Sequence, residues 1–79
     1  MVLKKKLTRT AVVLEFKKGK SDLSALTRSA DAAASQIIEK KYAEPYIREG
    51  YSKVYGIGIG FGGKDCIVKS LGNLARSEA

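Results

Sequence analysis

The chain has 79 residues, 44% of them apolar, which suits one small folded domain with a thin core and excludes two domains or a large cofactor cavity. There is no histidine and one cysteine, Cys66, which excludes His-based relays, His metal sites, Ser-His triads, an internal disulfide and a zinc ribbon. The net charge is +7, and seven of the fifteen basic residues stand in residues 1–20 against Glu15 alone, so this end predicts attraction to polyanions such as nucleic acid.

Val2 to Leu7 reads as a weak strand with Lys4 to Lys6 in its middle, and Leu7 to Thr10 as a turn. Ala11 to Lys17 reads as a strong strand. Alternation puts Val12, Leu14 and Phe16 on one face, and Val13, Glu15 and Lys17 on the other. Ser21 is an N-cap candidate and Asp22 suits a helix N-terminus. A long helix follows, because Leu23, Leu26, Ala30, Ala33 and Ile37 step by three and four. Its alanine-rich middle lets it approach a sheet closely. Pro45 limits it near Ala43 or Glu44 and opens a short extra turn through Glu49.

Lys53 to Phe61 is the second strong strand, with Tyr55, Ile57, Ile59 and Phe61 on one face and Gly56, Gly58 and Gly60 on the other. Those glycines let a backbone pack close, and the alanine-rich helix is the expected neighbour. Gly62 to Asp65 reads as a hairpin turn and Cys66 to Ser70 as a last short strand, with Cys66 a packing residue. The tail, residues 72–79, reads as frayed or as a short helix. The order β-β-α-β-β makes residues 1–79 a single α/β (α+β) domain, a mixed sheet of about four strands under one long helix. The two strong strands should be parallel, with a right-handed crossover. No run reaches the roughly 20 apolar residues that span a bilayer. Met1 to Lys6 is too short an apolar stretch for a signal peptide. With a lone thiol, the expectation is a cytoplasmic chain away from membranes.

Several groups could carry chemistry. Glu15 and Lys17, two apart on a strand, project from one face about 7 Å apart. A carboxylate there supplies hard oxygen for Mg²⁺ or Mn²⁺, and the ammonium can stabilise charge on a phosphate. The spacing alone also describes many solvated strand faces. Gly58-Ile59-Gly60-Phe61-Gly62-Gly63 matches G-x-G-x-x-G, but a turn and strand follow where a dinucleotide site needs a helix. Lys4, Lys5, Lys6, Arg9, Lys18 and Lys20 would contact nucleic-acid phosphates, or else guard a charged edge strand against aggregation. Tyr42, Tyr46, Tyr51 and Tyr55 read as caps over the thin core at the helix-to-strand junction.

The segments VVLEFKKGKS, ASQIIEKKYAEPY and GYSKVYGIGIGF together resemble the PD-(D/E)XK nuclease superfamily. In particular they look like the nuclease-like C-terminal domain attached to prokaryotic AAA-ATPase-like proteins. The resemblance covers roughly residues 2–70 and implies a restriction-endonuclease-like core. It also implies Glu15 as the metal-binding acid, Phe16 as a carbonyl donor to the metal, Lys17 as the catalytic lysine and Gln36 as a helix residue lining the same site. The implied cofactor is Mg²⁺ or Mn²⁺ and the implied substrate DNA, with an ATPase-like domain expected in any longer parent. Residues 1–14 contain no acid, so the family's aspartate on the preceding strand would fall before Met1. The chain reads as the second half of the domain, and a metal here would be weakly held. Two functions stay open. One is a metal-dependent nuclease domain. The other is a non-catalytic nucleic-acid-binding or protein-interaction module that forms a homo-oligomer through its sheet edge.

Overall fold

The computed structural model describes residues 1–5 and 8–75. The elements are β1 (Val2–Lys5), β2 (Thr10–Lys18), α1 (Leu23–Glu39), α2 (Glu44–Arg48), β3 (Lys53–Gly62) and β4 (Asp65–Asn73). They form a four-stranded mixed sheet in the order β1-β2-β3-β4 with α1 packed on one face. The central pair, β2 and β3, is parallel and joined through α1, as the crossover reading requires. Both edge strands pair antiparallel. No helix among the described residues is long and apolar enough to cross a membrane.

Asp22, rather than Ser21, caps α1. Its backbone is extended and its Oδ1 accepts from the Ala25 N–H at 2.9 Å. The helix stops at Glu39, some four residues before the limit set by Pro45. The reason is a Schellman motif, in which Lys41 N–H donates to the Ile38 carbonyl and Tyr42 N–H to the Ile37 carbonyl. Lys41 takes the left-handed position with φ of 55°, where glycine is usual. The turn buries Ala43 and starts α2, with Pro45 in its first turn.

The register decides which face meets the helix. Val13, Glu15 and Lys17 pair with Gly56, Gly58 and Gly60, and these glycines lie directly under α1. A Cβ added at Gly58 would meet the Ala30 carbonyl oxygen at 2.6 Å, and one at Gly60 the Ala30 nitrogen at 2.7 Å. Both are closer than any real Cβ contact, so helix and strand touch backbone to backbone. The alanines Ala30, Ala33 and Ala34 are buried at this seam. Beside it, under the C-terminal half of α1, Ala11, Val13, Ile37, Ala43, Tyr51 and Val54 form the apolar core.

Two expectations need correction at the C-terminal end. The fourth strand runs to Asn73, not Ser70, and the tail is not frayed from residue 72. Asn73 Oδ1 accepts from the Val54 N–H at 3.0 Å, Leu74 N–H donates to the Val54 carbonyl at 2.7 Å, and Leu74 and Ala75 pack on the core. Residues 76–79 lie outside the described residues. Cys66, expected to pack, is exposed, because it pairs with Phe61 on the face away from α1.

Gly58→Ala should lower stability by about 1–3 kcal/mol through overpacking against backbone that cannot yield, measured by urea denaturation. Lys41→Gly should raise it by about 1 kcal/mol, the strain of a left-handed non-glycine residue.

Candidate active site

Glu15 and Lys17 sit on the α1-facing side of β2, as alternation predicts, opposite Gly58 and Gly60. The helix packs mainly over β3, so it leaves these two side chains beside it rather than beneath it. Glu15 is half-buried and Lys17 exposed. Among the described residues the one ion pair is Lys69–Asp31 at 3.9 Å, so neither Glu15 nor Lys17 is tied up in one.

That ion pair orients the helix. Asp31 on one flank of α1 reaches Lys69 on β4, on the far side of β3. Gln36 follows Asp31 by five residues, about 140° around the helix axis, so it belongs to the opposite flank, toward β2. Ser29 shares this flank, and the glycine that ends β2, Gly19, packs against it. Along the helix, Ala34 lies over Gly58 and Ile37 beside Gly56. Gln36 therefore stands at the level of Glu15 and Val13. At the corner between β2 and α1, Gln36 is thus on the flank of α1 toward β2, near the level of Glu15, with Lys17 two residues further along the strand.

Phe16 completes the corner through its backbone. Leu14 donates its N–H to the Met1 carbonyl at 2.7 Å, and its own carbonyl accepts from the Met1 ammonium at 2.9 Å. Strand alternation then turns the Phe16 carbonyl the same way, onto the outer edge of the sheet and past the residues that pair with β1. The donors available are thus one carboxylate, one carbonyl and one side-chain amide, all hard oxygens suited to Mg²⁺ or Mn²⁺. Among the described residues no three His, Cys, Asp or Glu side chains gather into a metal-holding group. A cation here would have a single charged ligand.

Beside Glu15 is an open cavity of about 460 Å³, lined also by Met1, Lys40, Lys41, Tyr42 and Tyr46. Composition and motif reading had not assigned Lys40 and Lys41 to this corner. The signal for Lys40 was its position four residues after Gln36, on the same helix flank. The tyrosines divide. Tyr51 is buried and meets Tyr46 edge-on with ring centroids 5.9 Å apart, as core caps should, while Tyr42 is 38% exposed at the cavity wall.

The six basic residues do not form one surface. Lys18 ends β2, on the face opposite Lys17, and Lys20 follows it. Lys5 pairs with Thr10 at the opposite end of that strand, roughly 26 Å away by strand rise. Lys4 lies over the Tyr46 ring, 5.7 Å from its centroid. Arg9 takes a positive φ of 52° and donates from its guanidinium to the Glu49 carbonyl at 3.2 Å, just past the end of α2. Lys6 lies outside the described residues. The G-x-G-x-x-G run lies under α1 and turns into β4, with no helix to receive a pyrophosphate.

A family model described as the PD-(D/E)XK nuclease superfamily matches residues 1–71. No curated protein and no solved structure matches the chain.

Arg9→Ala should destabilise the fold by about 1 kcal/mol through the lost bond to Glu49. Lys18→Ala and Lys20→Ala should stay within about 0.5 kcal/mol, as exposed substitutions do. Parallel urea melts of the three variants compare them.

Proposed function

Taking as premise that this chain belongs to the PD-(D/E)XK nuclease superfamily, we propose that it carries the acid-and-lysine half of a metal-dependent phosphodiesterase site acting on DNA. The observation that supports this most is the placement of the motif. Glu15 and Lys17 share the α1-facing side of β2, and the Gln36 flank of α1 is turned toward that strand. Glu15 and the Phe16 carbonyl would hold the Mg²⁺ or Mn²⁺, and Gln36 would steady a water or phosphate oxygen beside them. The bound metal would activate water and neutralise charge on the phosphate. Lys17, exposed and two residues along the same face, is free to meet the scissile phosphate and stabilise the charge that builds on it. Lys18 and Lys20, at the same end of β2, would hold the backbone of the strand without reading bases. An ATPase-like partner domain, expected from the resemblance, belongs to the same proposal.

The single carboxylate favours a second reading, in which the chain binds DNA without cutting it. One acid holds a divalent cation weakly, and two-metal chemistry needs more. A salt-dependent gel shift without metal-dependent cleavage would mark that case.

The deciding experiment is a Mn²⁺ titration followed by amide line broadening, coupled to cleavage of a labelled duplex in Mg²⁺. Broadening should centre on residues 15–17 and near Gln36, and Glu15→Gln should remove it. Lys17→Ala should keep the broadening and lower cleavage by at least about 100-fold, the scale of a lost transition-state charge contact. Broadening scattered over Glu39, Glu44 and Glu49 would overturn the metal assignment.

A further inference from the structure

The turn between α1 and α2 carries a group of cations that the proposed chemistry does not use. Lys40 and Lys41 line the cavity beside Glu15. They also line a second open cavity of about 410 Å³, together with Glu44, Pro45 and Arg48. Lys40, Lys41 and Pro45 belong to both, so the two cavities form one trough from Glu15 to Arg48. The second cavity sets three cations against one carboxylate, Glu44. Among the described residues none of the three cations is held in an ion pair. Contacts along α1 run from Gly60 at Leu26 to Gly56 at Ile37, so the helix runs against β3 and its end carries Lys40 toward the start of β2. The trough therefore continues past Glu15 on the side away from Lys20.

The wall of the trough offers one aromatic ring. Tyr46 is already engaged, since it meets Tyr51 edge-on and Lys4 lies over its ring. Tyr42 is exposed at the wall and has no aromatic or cationic partner among the described residues. The residue before it, Lys41, holds the left-handed position where glycine would relieve the cost. A strained position of this kind points to a use for the side chain.

We infer that the trough holds one unpaired nucleotide next to the phosphate at Glu15, with its base stacked on Tyr42 and its own phosphate on Lys40, Lys41 and Arg48. The substrate is then DNA whose strand is unpaired at this point, as in a single strand. A base inside a duplex has both faces covered by its neighbours, so Tyr42 can stack only on one that has left the pair. A linear duplex meets this demand where its ends fray. The cavity beside Glu15, about 460 Å³, lies within the roughly 300–1,000 Å³ of small-ligand sites. The inference rests on the DNA reading of the proposed function, and not on its metal.

The test uses the full 79-residue chain in EDTA, so that neither metal nor cleavage enters. Three labelled probes are followed by anisotropy: an oligothymidine, the same strand with abasic sites, and a duplex with G·C-clamped ends. The oligothymidine should bind at least about fivefold more tightly than the other two, and Tyr42→Ala should remove that advantage, which is the lower end of one lost base stack. Binding of the abasic strand should be unchanged in Tyr42→Ala. Lys41→Gly should lower the salt slope of binding by roughly one while its urea midpoint rises, which separates a lost phosphate contact from unfolding. Lys69→Ala, on β4, should alter neither affinity nor slope. Should Tyr42→Ala fail to fold, the three probes on the unaltered chain still decide. Equal binding of the oligothymidine and the duplex would overturn the inference and leave the metal site standing. So would a Lys41→Gly slope equal to that of Lys69→Ala. Absence of binding to all three probes would overturn the DNA reading itself, and this inference with it.

Discussion

The contact between α1 and the glycine row of β3 is the constraint on which the rest depends. Gly56, Gly58, Gly60 and Gly62 remove the side chains from one face of β3 beyond Val54. Ala30 and Ala34 bring helix backbone onto that strip. A contact so close has little freedom in height or crossing position, because a shift of one residue in β3 would put isoleucine under the helix. It therefore fixes α1 over β3 and leaves β2 to one side. Glu15 and Lys17 stand clear of the helix for this reason. Had the helix settled centrally over both strands, the carboxylate would have been buried beneath apolar side chains without a partner, at a desolvation cost that such a thin core could not offset.

The elements were legible because each carries its own period. Alternation in Ala11–Lys17 and the three-and-four stepping of Leu23–Ile37 are local signals, and both survive in the structure. The ends were less so. Ser21 and Asp22 are both good caps, and only the φ and ψ reached at Asp22 choose between them. Pro45 sets an outer limit for the helix, but the Schellman turn ends it earlier, at a lysine that propensity would not nominate. Leu71 to Ala75 looked featureless because its order comes from Val54, some twenty residues away.

The corner itself divides along the same line. The shared face of Glu15 and Lys17 is a period-two fact and could be read directly. Which flank of α1 turns toward β2 could not, since helical period alone leaves both open. The Asp31–Lys69 pair, together with the approach of Gly19 to Ser29, settles the flank. The basic set shows the limit most clearly. Lys4, Lys5 and Arg9 are near Lys18 and Lys20 in sequence. An antiparallel pairing folds the first group back to the start of β2, while the second follows its end. Arg9 is then drawn to the Glu49 carbonyl by a turn conformation that composition does not reveal.

The two faces of the sheet make opposite demands, and this explains why one small core serves the fold. On the α1 side, close packing of glycine against alanine buries backbone and small side chains, with little apolar mass per residue. On the other side the larger apolar residues, Phe16, Ile57, Ile59 and Phe61, remain partly in water. The apolar area still in water on that face carries a potential stabilisation of roughly 25 cal/mol for each Å² removed from water. A cover would also stiffen β2 from behind, and β2 carries both Glu15 and Lys17. The distance between a carboxylate and an ammonium two residues apart depends on the local twist of the strand.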